Sequence, residues 1–106
     1  MEEQPNLDYF NQIACGEVAI LNSLISILKS EFPQQLESYN QSILEVNYVE
    51  SAEALHKLKH KVRLLGLEKG YDIANQFENN LRDHNMQNKN EFEYILKNIT
   101  NFIQKL

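Results

Sequence analysis

The chain has 106 residues, 42% of them hydrophobic, a net charge of −5 and a single cysteine, Cys15. That length predicts one domain over residues 1–106 with a modest core, and the acidic balance argues against general nucleic-acid binding. A lone cysteine excludes an intrachain disulfide and suits a reducing, cytoplasmic setting. Three glycines and two prolines are too few for the turns of an all-β chain. The most apolar stretch, Val18 to Leu28, is interrupted by Asn22, Ser23 and Ser26. It is too short and too polar to span a bilayer, so no membrane association is expected. The first residues lack the basic segment of a signal peptide.

Pro5 suits the first turn of a short leading helix, which Gly16 separates from the next. Val18, Leu21, Ile25, Leu28, Phe32, Leu36, Tyr39, Ile43 and Val46 recur at helical spacing. Pro33 lies inside that series and predicts a kink or brief break near Phe32, with two stacked segments sharing one face. Ser51 is the predicted N-cap of the following helix, with Glu53 in its first turn. Leu55, Leu58, Val62 and Leu65 form its apolar stripe, and Gly66 ends or bends it. Leu67, Ala74, Phe77 and Leu81 continue the rhythm, with Gly70 in the gap. Residues 83–90 are polar and predict a loop. Asn90 with Glu93 predicts a capping box for the last helix, whose stripe is Phe92, Ile95, Ile99, Phe102 and Leu106. The expected fold is all-α: an antiparallel up-down four-helix bundle with a short extra N-terminal helix.

The segment from His56 to Gly66 carries the chemistry. Between Ala54 and Leu67 stand four Lys/Arg residues, two histidines and no acid. A local basic patch on an acidic protein suggests one specific anionic partner. At 100° per residue the stripe Leu55, Leu58, Val62 and Leu65 fills an arc of about 80°. His56, Lys59, His60 and Arg63 fill another arc, centred about 130° away. His56 and Lys59 are therefore expected at the surface. An exposed imidazole, with an ordinary pKa near ~6.5, is largely uncharged at neutral pH and is a good nucleophile. Lys59, one turn on, supplies a cation beside any anion that reaches it, which suits phosphoryl transfer. The chain has no phosphate-cradling Gly-rich loop, so a partner must supply the other half of such a site.

Other readings use the same residues. A non-catalytic helical adaptor could dock an acidic partner through the basic face from His56 to Arg63. His56 and His60, spaced i,i+4, could chelate a metal with Glu53 or His84 as third ligand. Lys57 replaces the glutamate of the H-E-x-x-H motif, and the neighbouring lysines repel a cation, so no metal is expected. Lys57 and Lys61 are expected as a solvated flank, His84 as a loop residue and Cys15 as a core or boundary residue.

His56, Leu58, Lys59, Leu65 and Gly66 fit a pattern close to A-H-x-L-K-G followed by leucine and glycine nine and ten residues after the histidine. Gly16-Glu17, Phe32-Pro33 with Leu36, and Phe77-Glu78 extend the likeness outward. The chain thus resembles the histidine-containing phosphotransfer (HPt) domain of bacterial multistep phosphorelays. The resemblance implies that His56 accepts a phosphoryl group on Nε2 from the aspartate of a receiver domain and passes it to another receiver. Those receivers belong to response regulators or to a hybrid sensor histidine kinase. It implies that Lys59 steadies the phosphoryl oxygens, with magnesium on the receiver and no cofactor in this chain. It further implies a monomer without ATP binding or autonomous kinase activity. Leu58, Leu65 and Gly66 are then structural residues near the site, Gly66 as helix terminator or as a point of close packing. Two positions depart from the family: His60 stands where glycine is usual, and Arg63 where a small residue is common. Both fall on the expected docking face.

Overall fold

A computed structural model describes residues 3–106. Among them are five helices and no strand: α1 (Asp8–Ala14), α2 (Val18–Leu44), α3 (Tyr48–Leu64), α4 (Glu68–Arg82) and α5 (Lys89–Gln104). Each helix packs on the next in chain order. α2 also reaches α5, where the Tyr39 and Phe92 rings meet edge to face at 5.6 Å. The Tyr39 hydroxyl donates to Glu93 Oε2 at 3.0 Å. No helix among the described residues is long and apolar enough to cross a membrane.

The apolar stripes make the core. Leu28, Phe32, Tyr39, Leu55, Leu58, Val62, Leu65, Phe77, Leu81, Phe92 and Ile99 are buried. Each such side chain contributes about 1.5–3 kcal/mol through removal from water. The series fray at their ends, since Val18, Val46 and Leu106 are exposed. In α5 the stripe is widened by the buried Leu96 and Ile103.

Pro33 does not break α2, which runs unbroken for 27 residues. Phe32 points into the core while Pro33 and Lys29 face solvent, so water can serve the Lys29 carbonyl that the proline leaves free. Burial of Leu28, Phe32 and Tyr39 on one face outweighs the local cost. Pro5 lies before α1, not in its first turn, and is itself buried. Cys15 is exposed: it caps α1 in left-handed geometry (φ 50°), its thiol donating to the Gln12 carbonyl.

The caps also differ from expectation. Asn47, not Ser51, caps α3, its side chain accepting from the Glu50 amide at 3.1 Å. Ser51 is buried inside α3 and donates to Ser42 Oγ at 2.8 Å, which ties α3 to α2. The last loop covers only residues 83–88, with Asn88 at the N-cap position of α5. Asn90 therefore sits within the first turn, and no capping box with Glu93 forms.

Gly66 ends α3 in left-handed geometry (φ 79°). Its amide bonds the Arg63 carbonyl, and the Leu67 amide bonds the Val62 carbonyl, which is the Schellman pattern. Close packing acts at the same residue: a Cβ on Gly66 would stand 2.6 Å from the Asn6 side chain. Terminator and close-packing roles therefore coincide. The Asn6 amide also bonds the Leu65 carbonyl, and Glu3 accepts from the Lys69 and Gly70 amides at the start of α4. The N-terminal segment thereby fixes the turn between α3 and α4.

Candidate functional site

α3 presents its apolar stripe as expected, with Leu55, Leu58, Val62 and Leu65 all fully buried. His56 lies on the outer side, its side chain 52% exposed. Its Nδ1 faces the Glu78 carboxylate from α4, 3.3 Å from Oε2. An ionised carboxylate can only accept, so this contact places the ring proton on Nδ1 and leaves the Nε2 lone pair free.

Glu78 is the hub. It is buried, and three groups converge on it: Lys59 Nζ at 2.8 Å, Arg82 from one turn along α4 at 2.8 Å, and His56. Burial pushes the Glu78 carboxyl up. Hydrogen bonds from Lys59 and Arg82, with the charges of Lys59 and His56, outweigh that and hold it below the ordinary carboxylate range.

Lys59 is not where its arc predicted. It is buried, with only 11% of the side chain exposed, and its ammonium lies 5.6 Å from the centre of the Tyr71 ring. Lys59 is the member of the polar arc closest to the stripe, about 40° from Leu55. α4 covers that edge and supplies the anion a buried cation requires. Glu78 itself was visible in the sequence only as an acid flanking Phe77. Such a residue at the margin of an apolar stripe needs a partner, but the spacing does not say which.

His60 and Arg63 are both exposed on this face. The His60 ring meets that of His56 edge to face, with centroids 5.1 Å apart. Arg63 lies over the Tyr71 ring at 5.2 Å. Leu58 and Leu65 are in the core, and Gly66 closes the helix below the site. The patch is less basic than the local sequence suggests, because other helices bring acids to it. Lys61 is no solvated flank: its side chain is 12% exposed and pairs with Glu31 of α2 at 2.6 Å. Lys57 is exposed.

The two proposed third metal ligands are not gathered with the histidine pair. Among the described residues no group of three or more His, Cys, Asp and Glu is arranged to hold a metal. His84 stacks on Tyr48, ring centroids 4.9 Å apart.

No curated protein and no solved structure matches the chain. A family model, the Hpt domain, matches residues 23–105, which takes in most of α2 and all of α3, α4 and α5. The chain that sets His56 outward on α3, braced by Glu78, therefore belongs to the Hpt domain family, the phosphocarriers of two-component phosphorelays.

Proposed function

We propose that His56 accepts a phosphoryl group on Nε2 from a receiver-domain aspartate and hands it to a second receiver. The observation that carries this reading is the Nδ1 contact to Glu78, which leaves Nε2 as the free nucleophile on an exposed ring. In the step, the Nε2 lone pair forms the N–P bond while the acyl phosphate O–P bond breaks and the aspartate leaves as carboxylate. The ring gains positive charge, which the Glu78 carboxylate offsets from the Nδ1 side. Lys59 adds a cation beneath the site, though its ammonium is shared with Glu78. Magnesium held by the receiver would neutralise charge at the acyl phosphate; no cofactor is assigned to this chain. The chain acts as a carrier without ATP binding or kinase activity of its own.

His60 and Arg63 form part of the docking face for the receiver, which belongs to a response regulator or a hybrid sensor kinase. The sequential packing of α2 to α5 and the Tyr39–Phe92 contact support an antiparallel up-down bundle. On this reading the chain is a single HPt-like domain over residues 1–106 that works as a monomer in the cytoplasm. The adaptor reading loses ground because Lys59 and Lys61 are neutralised by Glu78 and Glu31.

A receiver carrying a labelled acyl phosphate should transfer label to the protein in acid-labile, base-stable form. His56→Gln should abolish uptake while leaving helicity intact. Label on the His56→Gln protein would refute the site. A receiver that binds wild type tightly yet never transfers label would favour the adaptor.

A further inference from the structure

Side chains on a helix lean toward its N-terminus, so His60 projects back over the turn that carries His56. The rings are in contact, 86° apart in plane, and both residues are exposed. Lys59 stands differently. Its ammonium is buried against Glu78 at 2.8 Å, and drawing it outward would strip a buried carboxylate of a partner. Arg63 is occupied over Tyr71. From α4 the groups on this flank are Glu78 and Tyr71, the first held by Lys59 and Arg82 and the second beneath Lys59 and Arg63. Glu31 of α2 is held by Lys61. On α3 itself the neighbours are His56, Lys57 and Arg63. Among the described residues no acid pairs with His60. His60 therefore touches the acceptor ring and has no charge partner of its own.

We propose that His60 is a titratable binding residue for the phosphoryl group on His56: its protonated ring donates a hydrogen bond to a phosphoryl oxygen. This rests on His56 as the acceptor. His60 exchanges only a proton with solvent, and no bond to phosphorus changes at its ring. Because the imidazolium binds the phosphoryl oxygen and the neutral ring does so less well, phosphorylation of His56 and proton uptake by His60 favour one another. Glycine, usual at this position in the resemblance, offers neither contact.

The test uses phosphoramidate, whose P–N bond breaks with loss of ammonia as the new N–P bond forms at His56. Ring resonances of His60 are followed by NMR across the imidazole range, before and after phosphorylation. The His60 titration should move to higher pH in the phosphorylated protein. In parallel, wild type should outpace His60→Gln by about threefold near pH ~6, the size expected of an exposed ion pair. The two should converge near pH ~8.5, above the range in which imidazoles ordinarily carry charge. A merely structural role would change the rate by one factor at both pH values. Phosphohistidine at His56 with an unmoved His60 titration, or a rate ratio independent of pH, overturns this proposal alone. Failure of wild type to form phosphohistidine, or its persistence in His56→Gln, overturns the His56 assignment as well.

Discussion

Lys59 Nζ lies 2.8 Å from Glu78 Oε1, both side chains about nine-tenths buried, so the lysine of the site belongs as much to the α3–α4 interface as to the surface. Removing one member of a buried pair leaves the other charge uncompensated. Glu78 keeps Arg82 and His56, which limits the loss. Lys59→Ala should therefore destabilise the fold by about 2 kcal/mol, read as a lower urea midpoint at pH 7. A merely exposed lysine would cost far less, and an unchanged midpoint would contradict the burial.

Glu78→Gln separates charge from shape. The folded-state carboxyl sits below its ordinary value of 4.5, so its contribution to stability is fully present above the ordinary carboxylate range. That contribution is lost as pH falls below 4.5 and through the lowered folded value. Wild type should lose stability over this range, and Glu78→Gln should be weaker at neutral pH but show a flatter acid profile. Urea midpoints at about pH 7 and about pH 3 would show the two proteins converging. Transfer to His56 should slow by about tenfold, a barrier increase near ~1.4 kcal/mol, because the ring keeps an acceptor at Nδ1 but loses its counter-charge.

Much of this was legible one helix at a time. The spacing of Leu55, Leu58, Val62 and Leu65 locates the core face of α3, and the outward position of His56 follows from it. What needed the fold were the relationships between helices. Lys59 stands at an arc boundary, and only the arrival of Glu78 from α4 decides that it is buried. Pro33 obeys a local rule that predicts a break, yet the packing of Leu28, Phe32 and Tyr39 carries the helix through. Ser51 has the composition of a cap, but Asn47 reaches the free amide first, and Ser51 bonds Ser42 instead. The apparent basic patch loses charge to Glu31 and Glu78, which are far away in sequence.

Tyr39 sets an alkaline limit. Burial, then the charge of Glu93 and the hydrogen bond to it, push its hydroxyl well above the ordinary value of 10.0. A raised phenol contributes stability below the unfolded-state value, and this is lost as pH rises above it. Wild type should weaken above pH 10.0 through this group. Tyr39→Phe should remove that part of the alkaline loss while costing about 1 kcal/mol at neutral pH for the missing bond to Glu93. Thermal melts across the alkaline range compare the slopes; parallel slopes would assign the loss elsewhere.

Gly66 and Asn6 give a test of the turn below the site. Gly66→Ala meets two penalties: a left-handed backbone at φ 79°, and a Cβ placed 2.6 Å from the Asn6 side chain. The first costs about 1 kcal/mol, and the second adds an overpacking cost of about 1 kcal/mol or more. Asn6→Ala clears the space but loses its side-chain bond to the Asp8 amide, 3.0 Å away. In the Asn6→Ala background, Gly66→Ala should therefore cost less than in wild type, yet still about 1 kcal/mol for the backbone alone. A double-mutant cycle from urea denaturation reads the difference as a favourable coupling between the two substitutions. Strict additivity would mean that Asn6 moves aside freely, and that Gly66 is required only for its backbone conformation.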